Sequence, residues 1–172
     1  PEFIVNLLKY SIVSENIAII KRYNFWDGIV PDTGIPREEY LSRITDFLGN
    51  KLVKVLIGQR RAGKSYLLRQ LISKLLLSGV NPRNILYVNK EFTEFDFLES
   101  YSDLDNLLRD YKKVLSPKGR MYLFIDEIQE ITDWERFVNS CSQSFVDEYE
   151  VFISGSNSKL LSGDLASLLS GR

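Results

Sequence analysis

The stretch Gly58-Gln59-Arg60-Arg61-Ala62-Gly63-Lys64-Ser65 constrains this chain more than any other, because its spacing is G-x-x-x-x-G-K-[ST], that of a phosphate-binding loop. Its setting agrees: the apolar run Leu52 to Ile57 precedes it and a helical pattern starts at Lys64. Glycines let the backbone curl until successive N–H groups point inward at phosphate oxygens, and the helix N-terminus that follows adds partial positive charge. Lys64 would then reach the β- and γ-phosphates and Ser65 would ligate Mg²⁺. The nucleotide cradle is expected to comprise Gly58, Gln59, Arg60, Arg61, Ala62, Gly63, Lys64, Ser65 and Tyr66, with the side chains of Arg60 and Arg61 at variable positions that usually turn to solvent.

Composition removes other chemistries. The chain has 172 residues, 44% hydrophobic and 26% charged, enough for one domain with a real core and a small appendage. It has no histidine and one cysteine, Cys141, so Ser-His-Asp triads, histidine-based acid–base catalysis, common zinc sites and an internal disulfide framework are all excluded. Carboxylates, lysine, hydroxyls and a hard cation remain. A formal net charge of −1 gives no global attraction to nucleic acid or to an anionic membrane. No apolar run is long enough to span a bilayer and no signal-peptide pattern is present, which favours the cytoplasm, where ATP is abundant.

Strand and helix patterns alternate along the chain. Residues 3–22 carry apolar positions at mixed spacing and lead into the aromatic turn Tyr23 to Gly28, whose Phe25 and Trp26 read as core plugs more readily than as stacking partners for a base. Pro36 opens a helix with Tyr40, Leu41, Ile44, Phe47 and Leu48 on one face. The helix from Lys64 repeats Leu67, Leu68, Leu71, Ile72, Leu75 and Leu76 until Gly79. Ile85 to Val88 is a strand, Glu91 to Glu99 a loop or short helix, and Leu104 to Leu115 a third helix. Met121 to Ile125 is a strand running into Asp126-Glu127. Thr132-Asp133-Trp134-Glu135 has capping-box spacing, opening a helix whose apolar face is Phe137, Val138, Cys141 and Phe145. Cys141 is expected to be a buried small hydrophobe. Tyr149 to Ile153 is a strand ending in Ser154-Gly155-Ser156-Asn157, and two short helical patterns follow.

Such alternation predicts an α/β fold with a parallel sheet covered on both faces and a ligand at the carboxyl ends of the strands. Three of those ends carry polar chemistry: the phosphate loop, Asp126-Glu127, and Ser154 to Asn157. Asp126 fits a Mg²⁺ ligand, direct or through water. Glu127 beside it would polarise a water for in-line attack on the γ-phosphate, as in an ATPase. Asn157 would bond the γ-phosphate or the attacking water, although a turn satisfying its own backbone accounts for it about as well.

Together with Phe124-Ile125-Asp126-Glu127-Ile128-Gln129, Ile153-Ser154-Gly155-Ser156-Asn157 and Leu168-Leu169-Ser170-Gly171-Arg172, the loop resembles the AAA-type P-loop ATPase domain of the prokaryotic archaeal ATPase-like proteins, from about Ile35 onward. The resemblance implies a three-layer P-loop NTPase sandwich with core strand order 1-4-3-2. It also implies a further strand beside the phosphate-loop strand, a later domain, and therefore a chain cut short at Arg172. On this reading residues 1–35 are an N-terminal arm and 36–172 the ATPase domain. The missing outer strand leaves an edge that the arm or a neighbouring molecule would cover. Arg172 matches a family arginine that would sense the γ-phosphate. The implied function is Mg²⁺-dependent ATP binding and hydrolysis coupled to conformational change or partner remodelling, with Glu127, Lys64 and Asn157 catalytic and Ser65 and Asp126 holding Mg²⁺. The alternative is a nucleotide-gated binding module with little or no turnover; a small-molecule kinase is disfavoured because Glu127 would activate water. A protein or DNA partner and a homo-oligomer stay open, DNA from the resemblance alone; a membrane does not.

Overall fold

Four continuous apolar runs become four parallel strands, as expected where helices cover both sheet faces. The computed structural model describes residues 15–156 and Leu160. Strands β1 (Lys54–Gly58), β2 (Ile85–Asn89), β3 (Met121–Asp126) and β4 (Tyr149–Ser156) lie in the order β1-β4-β3-β2, the order the resemblance implies. Helix α1 (Glu38–Thr45) precedes β1, α2 (Lys64–Leu77) follows it, α3 (Tyr101–Leu115) lies between β2 and β3, and α4 (Trp134–Ser142) between β3 and β4.

The two-residue period of a strand divides the core. On one face Leu86, Val88, Leu123, Ile125, Val151 and Ile153 meet the apolar stripes of α3 and α4, with Ile17 and Ile20 from a helical stretch at residues 15–21. On the other, Leu56, Ile85, Tyr87, Phe124 and Phe152 meet Leu67, Leu68, Leu71, Ile72 and Leu75 of α2. Phe124 and Phe152 stack face to face across β3 and β4, their ring centres 4.4 Å apart. Each fully buried Leu or Ile contributes about 1.5–3 kcal/mol. Cys141 is buried among them, and desolvation pushes its thiol up to about 12.

The two edges of the sheet end differently from one another. In the described part of the N-terminal arm, Asn24 lies against β2: it accepts from the Tyr87 N–H through Oδ1 at 2.7 Å and donates from Nδ2 to the Tyr87 carbonyl at 3.0 Å. One side-chain amide thus does what a neighbouring strand would do, and the Trp26 indole adds a bond to the Ile85 carbonyl at 2.7 Å. Phe25 packs on Tyr87 and Trp26 stacks on Tyr111, so both aromatics pack against the core. The outer edge of β1 has no strand beside it among the described residues. A groove of about 540 Å³ runs there, and Tyr40 and Phe47, grouped by spacing with the buried Leu41, are each 56% exposed beside it. Helix α1 is too short to carry Phe47 inward, since its helical residues stop at Thr45.

Two further expectations fail locally. Phe145 lies beyond the end of α4 and is exposed. The capping box at Thr132 does not form: Asp133 precedes α4 in a left-handed conformation without a side-chain cap bond, while the Thr132 backbone bonds Glu99 and Tyr101. At the base of β1 and β4, away from the loop, Lys54 pairs with the buried Glu150, whose other oxygen accepts from the Gly49 N–H at 3.0 Å.

Candidate functional site

Strand register sets the site. Gly58 lies opposite Ser156 and Asn89 opposite Asp126, with Ser154 two residues before the end of β4, so the carboxyl ends of all four strands converge on one edge. Between β1 and α2 the loop turns back on itself, with Ala62 N–H bonded to the Gln59 carbonyl at 3.1 Å and Gly63 at φ 84°. The first helical bond of α2 runs from Leu67 N–H to the Gly63 carbonyl, so the amides of Lys64, Ser65 and Tyr66 precede the helical ladder. Those amides and the α2 dipole form an anion cradle.

Lys64 is buried, and its Nζ lies on the loop axis, 3.3 Å from the carbonyls of Gly58 and Gln59. It is also 3.3 Å from Glu127 Oε1. Glu127 takes φ 55°, a left-handed conformation that a non-glycine residue holds only when its surroundings impose it. Its N–H donates to Ser154 Oγ at 3.3 Å and its Oε2 accepts from Gln129 at 2.5 Å. The turn therefore aims the carboxylate of Glu127 at the phosphate loop while Asp126 stays in the sheet.

Asp126 is fully buried at the end of β3. Burial raises its pKa, and hydrogen bonds from the hydroxyls of Ser154, Ser65 and Tyr87 pull it back. A buried carboxylate with no ion-pair partner among the described residues and a serine hydroxyl within bonding reach would suit Mg²⁺, supplying it with two hard protein oxygens. Among the described residues no cluster of three or more acidic or thiol ligands offers a competing metal site.

Two cavities flank Glu127. One, of about 480 Å³, opens over Gly63, Lys64, Ser65 and Tyr66; the other, of about 600 Å³, is bounded by Arg60, Lys90, Gln129 and Ser156. Gly58, Gly63, Lys64, Ser65, Asp126 and Glu127 are thus brought together. Gln59, Arg60, Arg61 and Ala62 form the exposed outer rim. Tyr66 is 47% exposed, its ring under the Arg69 guanidinium at 4.3 Å. Asn157 and Arg172 lie outside the described residues.

Sequence reasoning missed Arg37, whose Nη1 donates to the Ala62 carbonyl at 2.8 Å and whose guanidinium lies over Gly63. Nothing in its local sequence marks it, because the contact depends on α1 docking beside α2. Asn89, which lines the cavity shared by Lys64 and Glu127, and Gln129 were also missed; Gln129 stood within a quoted motif but had no partner until the fold supplied one.

A family model described as an AAA domain matches residues 50–172. The chain is similar to an uncharacterised protein of Haemophilus influenzae, 41% identical over 138 residues, covering 80% of this chain and 34% of that protein. It is also similar to an uncharacterised protein of Methanocaldococcus jannaschii, 33% identical over 170 residues, covering 97% of this chain and 36% of that protein. The chain spans about a third of the length of these relatives. No solved structure matches it.

Proposed function

Since the chain belongs to the AAA domain family, we propose that it binds ATP with Mg²⁺ and hydrolyses it, coupling the reaction to a conformational change that acts on a partner. The observation that carries this reading is the placement of Glu127: its carboxylate is 3.3 Å from Lys64 Nζ, at the mouth of the phosphate cradle. In the proposed reaction the loop amides and Lys64 hold the β- and γ-phosphates, with Ser65 and Asp126 providing oxygens for the ion. Bound Mg²⁺ would offset charge on the phosphate oxygens. Glu127 accepts a proton from the water whose oxygen attacks the γ-phosphorus in line; the bond from that phosphorus to the β–γ bridging oxygen breaks, releasing phosphate and ADP. Lys64 serves both phosphate and Glu127, which supports a link between occupancy and the position of the acid.

Phosphate release and calorimetric ATP binding by the wild-type chain and by Lys64→Ala test the reading. Expected are Mg²⁺-dependent turnover by wild type and, for Lys64→Ala, affinity lower by at least about tenfold with turnover lost, since a charge-assisted contact is worth ~1.5–3 kcal/mol. Binding without turnover would favour a nucleotide-gated module; wild type that binds no nucleotide contradicts both readings.

A further inference from the structure

Gln129 lies two residues after Glu127, in the short 3-10 turn Ile128–Glu130. Its Nε2 donates to Glu127 Oε2 at 2.5 Å and to Glu130 Oε1 at 3.4 Å. Ionised carboxylates only accept, so the amide must turn its nitrogen toward the acids and its oxygen away. That oxygen is buried and has no hydrogen-bond partner among the described residues. It faces Gly155 on β4, where a Cβ would overlap both Gln129 Oε1 and the Leu160 side chain. Gly155 has no positive φ, so the glycine there supplies space and not backbone freedom. An unpaired buried acceptor is costly, and the opposite end of the same amide, set mainly against Glu127, offsets it.

We propose that Gln129 is a positioning residue for Glu127: seated in the gap left by Gly155, its amide fixes the Glu127 carboxylate and ties it to the end of β4. This rests on the reading of Glu127 as the group that accepts the proton of the attacking water. The two oxygens of Glu127 are held separately, Oε1 by Lys64 and Oε2 by Gln129. When Lys64 turns its charge to phosphate, Gln129 is the partner that keeps the acid aimed at the water. Its contribution is to orientation during the chemical step and not to nucleotide affinity, so it belongs in kcat and not in KM.

Steady-state ATP hydrolysis by Gln129→Leu, Gly155→Ala, the double variant and Glu127→Gln tests this, with thermal melting on each. Gln129→Leu is expected to lower kcat by at least about tenfold, the loss of a hydrogen bond to a charged group, with KM within about twofold of wild type. Its melting temperature should change little, because removal of the unpaired oxygen offsets the cost of leaving Glu127 Oε2 without its donor; a merely structural role would lower it. Gly155→Ala, which dislodges the amide without deleting it, should lose a similar factor, and the double variant no more than either alone. This second route keeps the proposal exposed even if Gln129→Leu folds poorly. Wild-type kcat in Gln129→Leu alongside an inactive Glu127→Gln overturns the positioning role alone, as does a rise in KM at unchanged kcat. Wild-type turnover in Glu127→Gln overturns the underlying reading of the acid, and the positioning role with it.

Discussion

Gly58 and Gly63 share one motif but do different work. Gly63 sits at φ 84° at the start of α2, and the position of its missing Cβ is taken by the Arg37 guanidinium, with Cζ 3.0 Å away. At Gly58 the backbone is unexceptional and the nearest atom to an added Cβ is 3.6 Å away. Gly63→Ala is therefore expected to lower stability by about 1–2 kcal/mol, the left-handed penalty of an L residue, while Gly58→Ala stays within about 0.5 kcal/mol. Denaturant unfolding of both checks this. Arg37→Ala should not rescue Gly63→Ala, because the end of a flexible side chain can swing aside and the φ penalty remains. The motif identified both glycines as able to curl the backbone; only the structure assigns the strain to one. Lys64, Ser65, Asp126 and Glu127 were legible because motif spacing and strand ends locate them, whereas Arg37 and Gln129 act through contacts that exist only once α1 docks and β4 lies beside the acid.

At the level of elements, the four strands were readable as continuous apolar runs, and the stripes of α2 and α3 as helical spacing. Ends were less readable. Thr132 to Glu135 has the residues of a capping box, yet the Thr132 backbone is drawn into bonds with Glu99 and Tyr101. Phe47 and Phe145 follow the apolar spacing of helices that stop before reaching them. Asn24 serves as a strand substitute at a separation of 63 residues, which no local pattern records. One tie between elements has a pH signature. Lys112 of α3 donates to Asp147 at 2.5 Å, just before β4, and Tyr149 donates at 3.0 Å. The bond from Lys112, followed by that from Tyr149, holds the Asp147 pKa below its ordinary value. A carboxylate with a lowered folded pKa stabilises the fold above its unfolded pKa, about 3.9, and that contribution is lost as pH falls through the folded value. Asp147→Asn should therefore cost up to about 1 kcal/mol at pH 7, with the gap to wild type closing as the pH drops below about 4. Chemical unfolding across that range measures it.

For the molecule as a whole, a parallel sheet with both faces covered leaves its carboxyl edge as the place where residues distant in sequence meet. Gly63 and Lys64 come from the first strand–helix junction, Asp126 and Glu127 from the end of β3, and Ser154 and Gly155 from β4. The β2 edge is sealed by Asn24 and Trp26, while the β1 edge borders an apolar groove. The sheet order came from the resemblance and not from the strand patterns, since apolar runs of similar length carry no information about which neighbours pair. In the proposed reaction this edge is hydrolytic through Glu127, and ATP affinity and turnover measured together in Glu127→Gln decide it. Expected are an affinity within about threefold of wild type and turnover at least about a hundredfold slower, the usual contribution of a positioned general base; turnover within a few-fold of wild type would rule out Glu127 as that base.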